Sequence, residues 1–190
     1  MTFDVNSPAS WQDVAKAIKS KSTKALDFAI ESSKQSCEDA NAARQTLEEK
    51  ASNLIGYAGI LTGLLTAGIS LEVPALPDGS QPTLVQAGLV GLGLGTILVG
   101  VCVYFSLACL RVGKQQWVVL DAYNGIRLQG KAPALARREL LTDLVFAAGQ
   151  NHHANLVRAD NVRRSQSAMV AAVVVILASG LVQVYVLLLG

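Results

Sequence analysis

Apolar residues gather in three long runs along this chain, Leu54–Leu71, Leu84–Val112 and Ala168–Leu189. A helix needs roughly 20 apolar residues to cross the hydrocarbon core of a bilayer. Each run has about that length or more, and none contains an internal charged residue. The pattern therefore predicts three transmembrane helices.

Outside these runs, apolar and small residues recur every three to four positions, which is typical of amphipathic helices. One such stretch begins near Ser10, where Ser10 and Asp13 form a weak capping box, and reaches the first run without Pro or Gly. We predict one continuous helix there. A second stretch begins at Pro133, after the turn residues Asn124, Gly125 and Gly130, and runs into the third span. Both stripes are narrow, so each needs a partner helix.

The predicted fold class is all-α and integral to the membrane, with the first and third spans extended as long parallel cytosolic helices. The expected domains are 1–53, a cytosolic amphipathic helix; 54–112, transmembrane helices 1 and 2 with a short outer loop; 113–167, a cytosolic connector and long helix; and 168–190, transmembrane helix 3.

Charge gives the orientation. The chain has 16 Lys and Arg residues, of which seven precede Leu54 and nine lie between Arg111 and Ser167. The loop Glu72–Thr83 has none. Basic residues stay on the cytoplasmic side of inserted helices, which predicts a multi-pass membrane protein with its N-terminus inside and its C-terminus outside.

Composition excludes several kinds of chemistry. Apart from Arg111 at the end of the second run, the spans contain no Asp, Glu, Lys, Arg or His, which argues against ion-coupled transport, proton pumping and intramembrane proteolysis. Cys37, Cys102 and Cys109 fit no zinc spacing. His152 continues the apolar stripe and is expected to pack, whereas His153 is expected to be exposed. We expect no enzyme activity, no cofactor and no metal site.

Polar residues inside the spans are candidate pore-lining groups. Thr62, Thr66 and Ser70 follow each other at four-residue intervals on one face of the first span, and Gln183 lies in the third. In an oligomer they could line a water-filled path. The alternative is that each hydroxyl bonds to a carbonyl of its own helix, which we weigh as the commoner outcome.

Small residues mark candidate packing faces. Gly59 and Gly63 in the first span, and Gly91 and Gly95 in the second, have the spacing that lets helix backbones approach closely. These faces could pack within one protomer or between protomers, and we favour a homo-oligomer.

The basic surplus has two candidate roles. Arg111, Lys114, Arg163 and Arg164 border the spans and are expected to be lipid headgroup anchors. Residues further along the cytosolic segment could bind an anion such as a nucleotide or oligonucleotide phosphate: Arg127, Lys131, Arg137, Arg138 and Arg158. The alternative is a solvated basic face. No duplex-DNA readout is expected.

Two junctions carry a family resemblance. A charged helix joins a Gly/Ala-rich span at Leu47–Gly59, and an Arg-rich helix enters the last span at Asn161–Met169. This layout resembles small bacterial membrane effectors of anti-phage defence, which include the transmembrane effectors of cyclic-nucleotide systems and the channel-like partner of the Hailong nucleotidyltransferase. The resemblance implies an oligomeric effector of the bacterial inner membrane and a nucleotide or oligonucleotide ligand made by a partner nucleotidyltransferase.

The leading hypothesis is thus an oligomeric, cytosol-gated ion channel or membrane-permeabilising antiviral effector. A second hypothesis is a non-conducting membrane scaffold whose cytosolic helices recruit a soluble partner.

Overall fold

The computed structural model describes residues 10–19, 22–72, 82–112 and 128–189. Of these residues 94% are helical and none forms a strand, which confirms the all-α class. The helices are α1 (Trp11–Ala17), α2 (Thr23–Glu72), α3 (Pro82–Arg111) and α4 (Pro133–Leu189).

Two helix starts follow directly from local chemistry. Ser10 caps α1, since its Oγ accepts a bond from the Asp13 N–H and donates to the Asp13 carboxylate at 2.6 Å. Pro133 begins α4 as predicted, just after Gly130, whose φ of +84° suits a residue without a Cβ. α4 then runs through Gly149 without a break.

The prediction of a single helix from Ser10 onward is wrong. α1 ends at Ala17, and α2 begins only at Thr23. Ser22 supplies the reason, because its Oγ accepts from the Ala25 N–H at 3.5 Å and its carbonyl accepts from the Leu26 N–H. A serine in this role stabilises the start of a new helix.

The chain forms two compact units, and the first comprises residues 1–46 and 112–158. Leu26 and Ile30 of α2 pack there with Leu141 and Leu144 of α4. Burial of each such side chain contributes about 1.5–3 kcal/mol. The two stripes that needed a partner helix are therefore partnered within this one chain.

The second unit comprises residues 47–111 and 159–190. Its core is one cluster of small and medium side chains from α2, α3 and α4: Ala51, Leu54, Ala58, Val99, Cys102, Cys109, Val162, Met169 and Ala172. Five of these residues are Ala or Cys, whose small side chains let helices approach closely.

Two helices in the described part of the chain are long and apolar enough to cross a membrane, one within Gln86–Arg111 and one within Pro133–Tyr185. Only 28% and 22% of their most apolar windows are buried, whereas the core helix of a soluble protein is mostly buried. The predicted first span, Leu54–Leu71, belongs to α2, but the side chains of its residues 67–71 lie outside the described part.

Candidate membrane and ligand sites

Contacts inside the second unit fix the register of its helices. Ser165 of α4 bonds to Ser106 and Cys102 of α3, and further along Ser179 of α4 faces Gly91. α3 and α4 are therefore antiparallel. The Cys109 thiol of α3 reaches the Leu47 carbonyl of α2 at 3.9 Å. α3 ends at Arg111, so little of α3 remains beyond Cys109. The core residues of α2 that follow Leu47 can therefore lie beside α3 only if α2 is also antiparallel to α3.

This register brings the charged residues that border the apolar parts of three helices close to one level. Lys50 lies one turn beyond Leu47, hence about level with Ser106 at a rise of 1.5 Å per residue. The Arg164 guanidinium lies 5.7 Å from the centre of the Phe105 ring. Arg111 is about 8 Å further toward the charged end. We call Lys50, Arg111, Arg163 and Arg164 the charge boundary.

The apolar length beyond this boundary matches a bilayer. From Ser106 to Gln86, α3 covers about 30 Å, the thickness of a hydrocarbon core. Gln183 packs beside Gly88 near the far end, where Tyr185 is exposed. A tyrosine at that position suits the water interface of a membrane.

The predicted lipid anchors differ from one another in their partners. Arg164 is paired with Asp160 at 2.7 Å and stacks over Phe105. Arg111 and Arg163 are exposed. Lys114 lies outside the described residues.

The predicted pore-lining hydroxyls occupy an exposed face of α2, where Thr62 bonds to the Ala58 carbonyl at 2.8 Å and Thr66 to the Thr62 carbonyl at 2.9 Å. This is the commoner outcome weighed above. Ser70 lies in α2, but its side chain is outside the described part. Gln183 contacts α3, since a Cβ on Gly88 would lie 3.0 Å from its Cγ. Pore lining by these residues remains a prediction.

The two glycine pairs behave differently. A Cβ on Gly91 would collide with the Ser179 hydroxyl, and a Cβ on Gly95 would come within 2.5 Å of Ile176 Cγ1. Gly91 and Gly95 thus pack α3 against α4 inside the protomer. No atom of the described chain lies within 4 Å of a Cβ placed on Gly59 or Gly63. Their face of α2 is open.

Most of the predicted anion-binding residues already have protein partners. Lys131 pairs with Glu139 at 2.6 Å, and Arg137 pairs with Asp27. Arg138 donates to the Ile18 carbonyl at the end of α1. These bonds satisfy much of the positive charge without a ligand, and the anion site stays a prediction.

Arg158 and Arg127 complete that set. Arg158 is only 1% exposed and donates to Asn155 Oδ1 and to the Val112 carbonyl, so it does not face solvent. Arg127 lies outside the described residues.

The expectation for the two histidines is reversed. His152 is exposed and His153 is partly buried. Asn151 and Arg158 occupy the buried face of α4 instead, so this face is more polar than an apolar stripe suggests. No group of three or more potential metal ligands occurs among the described residues.

Sequence reasoning missed one polar cluster at the charge boundary. Ser106, Ser165 and Cys102 are all fully buried, and the two hydroxyls lie 2.7 Å apart. Ser165 also donates to the Cys102 carbonyl at 2.8 Å. A sequence signal for this cluster exists, since Ser106 on α3 and Ser165 on α4 each lie at helical spacing from apolar residues that are buried. Such a hydrogen bond fixes helix register, and it supplies no catalytic group.

Cys37, which packs against the core of the first unit, has a shifted pKa. Burial raises the pKa of its thiol, and the neighbouring Glu38 carboxylate adds to the effect. The thiol lies 3.7 Å from the Leu144 carbonyl, so it is held protonated in a packed position.

Comparison of the chain with protein-family models, curated proteins and solved structures finds no match.

Proposed function

We propose that this protein is an integral membrane effector with three spans, formed by the second halves of α2 and α4 and by α3. The observation that carries this proposal is the charge boundary. α2 changes from charged to apolar at the level where α3 and α4 do, as expected if all three helices enter one bilayer. The basic residues of the boundary support a cytosolic first unit, because Lys and Arg are retained on the cytoplasmic side of inserted helices.

Within that topology, we propose that the protein oligomerises and conducts ions or permeabilises the inner membrane in anti-phage defence. The open face of α2 supports this step. Gly59, Thr62, Gly63 and Thr66 lie on it at intervals of three and four residues, and the remaining exposed surface of the unit carries large apolar side chains such as Leu94 and Val174. Small and hydroxyl-bearing residues are enriched where membrane helices meet.

The cytosolic unit would receive the signal, a nucleotide, an oligonucleotide or a protein partner. Its basic residues are the candidates for anion recognition. A ligand phosphate would have to displace Asp27 from Arg137 or Glu139 from Lys131, so binding would rearrange α2 and α4 at those pairs.

The second candidate is a non-conducting membrane scaffold. Two observations favour it: the Thr62 and Thr66 hydroxyls are already bonded to their own helix, and most of the cytosolic cations are already partnered. On this account the first unit recruits a soluble protein and the spans only anchor it.

Ion flux through liposomes separates the two. The purified chain is reconstituted with a potassium-sensitive dye inside, alone and with nucleotide products of a nucleotidyltransferase. The channel proposal predicts flux that falls with Thr62→Leu and Thr66→Leu, whereas Thr96→Leu on α3 serves as the matched control. Absence of flux in every condition, with a stable complex to a soluble protein, would establish the scaffold.

A further inference from the structure

Three cations of the charge boundary have no ion-pair partner among the residues that the structure describes. Lys50, Arg111 and Arg163 are exposed, and none has an ion-pair partner in the described part of the chain. Their neighbour Arg164 is different, because Asp160 neutralises it at 2.7 Å and Phe105 lies against its guanidinium. The boundary therefore holds one satisfied and three unsatisfied positive charges.

The three unsatisfied cations come from three different helices but from nearly one level. Lys50 and Arg163 are both about level with Ser106, by the Cys109–Leu47 and Ser106–Ser165 contacts. Arg111 lies about 8 Å from Ser106 along the axis of α3, a distance within the thickness of a headgroup layer. Lys50 was not among the anchors expected from sequence, since it precedes the first apolar run by one turn.

We propose that Lys50, Arg111 and Arg163 bind the phosphates of anionic phospholipids, and that such lipids hold the second unit together from outside. The proposal rests on the membrane placement given above. Charge complementarity selects the ligand: an anionic headgroup sits at this depth, and a monoanionic phosphodiester matches each isolated cation. Arg164 takes no part, because its charge is balanced by Asp160.

The experiment measures the thermal midpoint of the full chain in phosphatidylcholine nanodiscs containing increasing phosphatidylglycerol. A basic residue near an anionic surface contributes about 1 kcal/mol, or about fivefold in affinity. Each of Lys50→Gln, Arg111→Gln and Arg163→Gln should weaken the apparent affinity for phosphatidylglycerol about fivefold, and the triple variant roughly a hundredfold. Arg163→Lys should retain it.

Two controls isolate the effect. Lys34→Gln removes a positive charge from the first unit, where Lys34 pairs with Glu31, and should keep the wild-type lipid dependence. Arg164→Gln should lower the midpoint equally with and without phosphatidylglycerol. The thermal midpoint does not depend on ion flux, so this test stays valid if the conduction proposal fails.

Two results would overturn the proposal. One is a wild-type response to phosphatidylglycerol in all three single variants. The other is an equal rise in midpoint when inorganic phosphate is added to pure phosphatidylcholine discs, since this would identify a site for soluble anions. If the triple variant does not fold, the single variants decide.

Discussion

Ser165 of α4 and Ser106 of α3 are joined by a fully buried hydrogen bond of 2.7 Å between their hydroxyl oxygens. Ser165 donates its own proton to the Cys102 carbonyl, so Ser106 must be the donor between the two serines. The cluster is thus a directed chain, Ser106 to Ser165 to Cys102.

Its direction predicts unequal effects of two similar substitutions. Ser106→Ala removes only the terminal donor, whereas Ser165→Ala removes the middle group and leaves Ser106 without its acceptor. We expect a loss of about 0.6 kcal/mol for the first and up to about 1.7 kcal/mol for the second, the range of interhelical bonds in membranes. Reversible unfolding in mixed micelles measures both, and equal losses would contradict the directed chain.

The glycine pairs predict a contrast between stability and assembly. Gly91→Ala and Gly95→Ala should each lower stability by about 1–3 kcal/mol, because the new methyl group meets Ser179 or Ile176. A Cβ at Gly59 or Gly63 meets no neighbouring atom of the described chain, so Gly59→Leu and Gly63→Leu should leave the protomer folded and reduce its self-association.

Cross-linking in membranes and unfolding in detergent test the two halves of this prediction separately. If Gly59→Leu destabilises the isolated protomer as much as Gly91→Ala does, the open face of α2 is packed within the chain after all.

Sequence was sufficient where a local rule acted alone. Ser10 and Asp13 formed the expected cap, and Pro133 began the expected helix. The second and third apolar runs lie in α3 and α4, the two described helices that are long and apolar enough to cross a membrane. Each of these features depends on neighbours within four residues or on average composition.

Sequence was insufficient where contacts between helices decided which residues are buried or paired. Hydrophobic periodicity placed His152 on the buried face of α4, but Asn151 and Arg158 are buried there because their polar groups find partners. The neighbouring residues in the sequence do not distinguish Gly91 from Gly59. The Gly91 pair is covered because α4 packs against it, whereas the Gly59 pair is open. The same holds for Lys131 and Arg137, whose carboxylate partners Glu139 and Asp27 lie 8 and 110 residues away in the sequence.

Arg138 predicts how α1 is held. Its guanidinium donates to the Ile18 carbonyl at the C-terminal end of α1, where a cation is favoured by the helix dipole. Arg138→Ala should raise amide hydrogen exchange in α1 several-fold. Arg137→Ala is the matched control, since it removes a surface pair with Asp27 that contributes only about 0.2–1 kcal/mol. Equal exchange in both variants would exclude the capping role.

Cys37 predicts a pH dependence. Burial raises its pKa in the folded state, so the protonated thiol is favoured and its contribution to stability is present below the pKa of the unfolded chain. That contribution is lost as pH rises through the raised folded value. Alkylation of Cys37 by neutral iodoacetamide should therefore be slower in the folded chain at pH 8 than in the chain denatured by urea. The rate for the folded chain should still increase at pH values where the rate for the denatured chain has levelled off. A folded-state curve that coincides with the denatured one would contradict the shift.

The central claim is that three helices cross the membrane, and the number of spans is directly measurable because an odd number puts the termini on opposite sides. In a Cys37→Ser background, Gln35→Cys serves as the reporter for the N-terminal side, because Gln35 is exposed, and Gly190→Cys serves for the C-terminal side, since Cys102 and Cys109 are buried. In intact spheroplasts, a membrane-impermeant maleimide should label the chain that carries Gly190→Cys, whereas the chain that carries Gln35→Cys should react only after lysis. Labelling of both positions from the same side would mean two spans and would contradict the account.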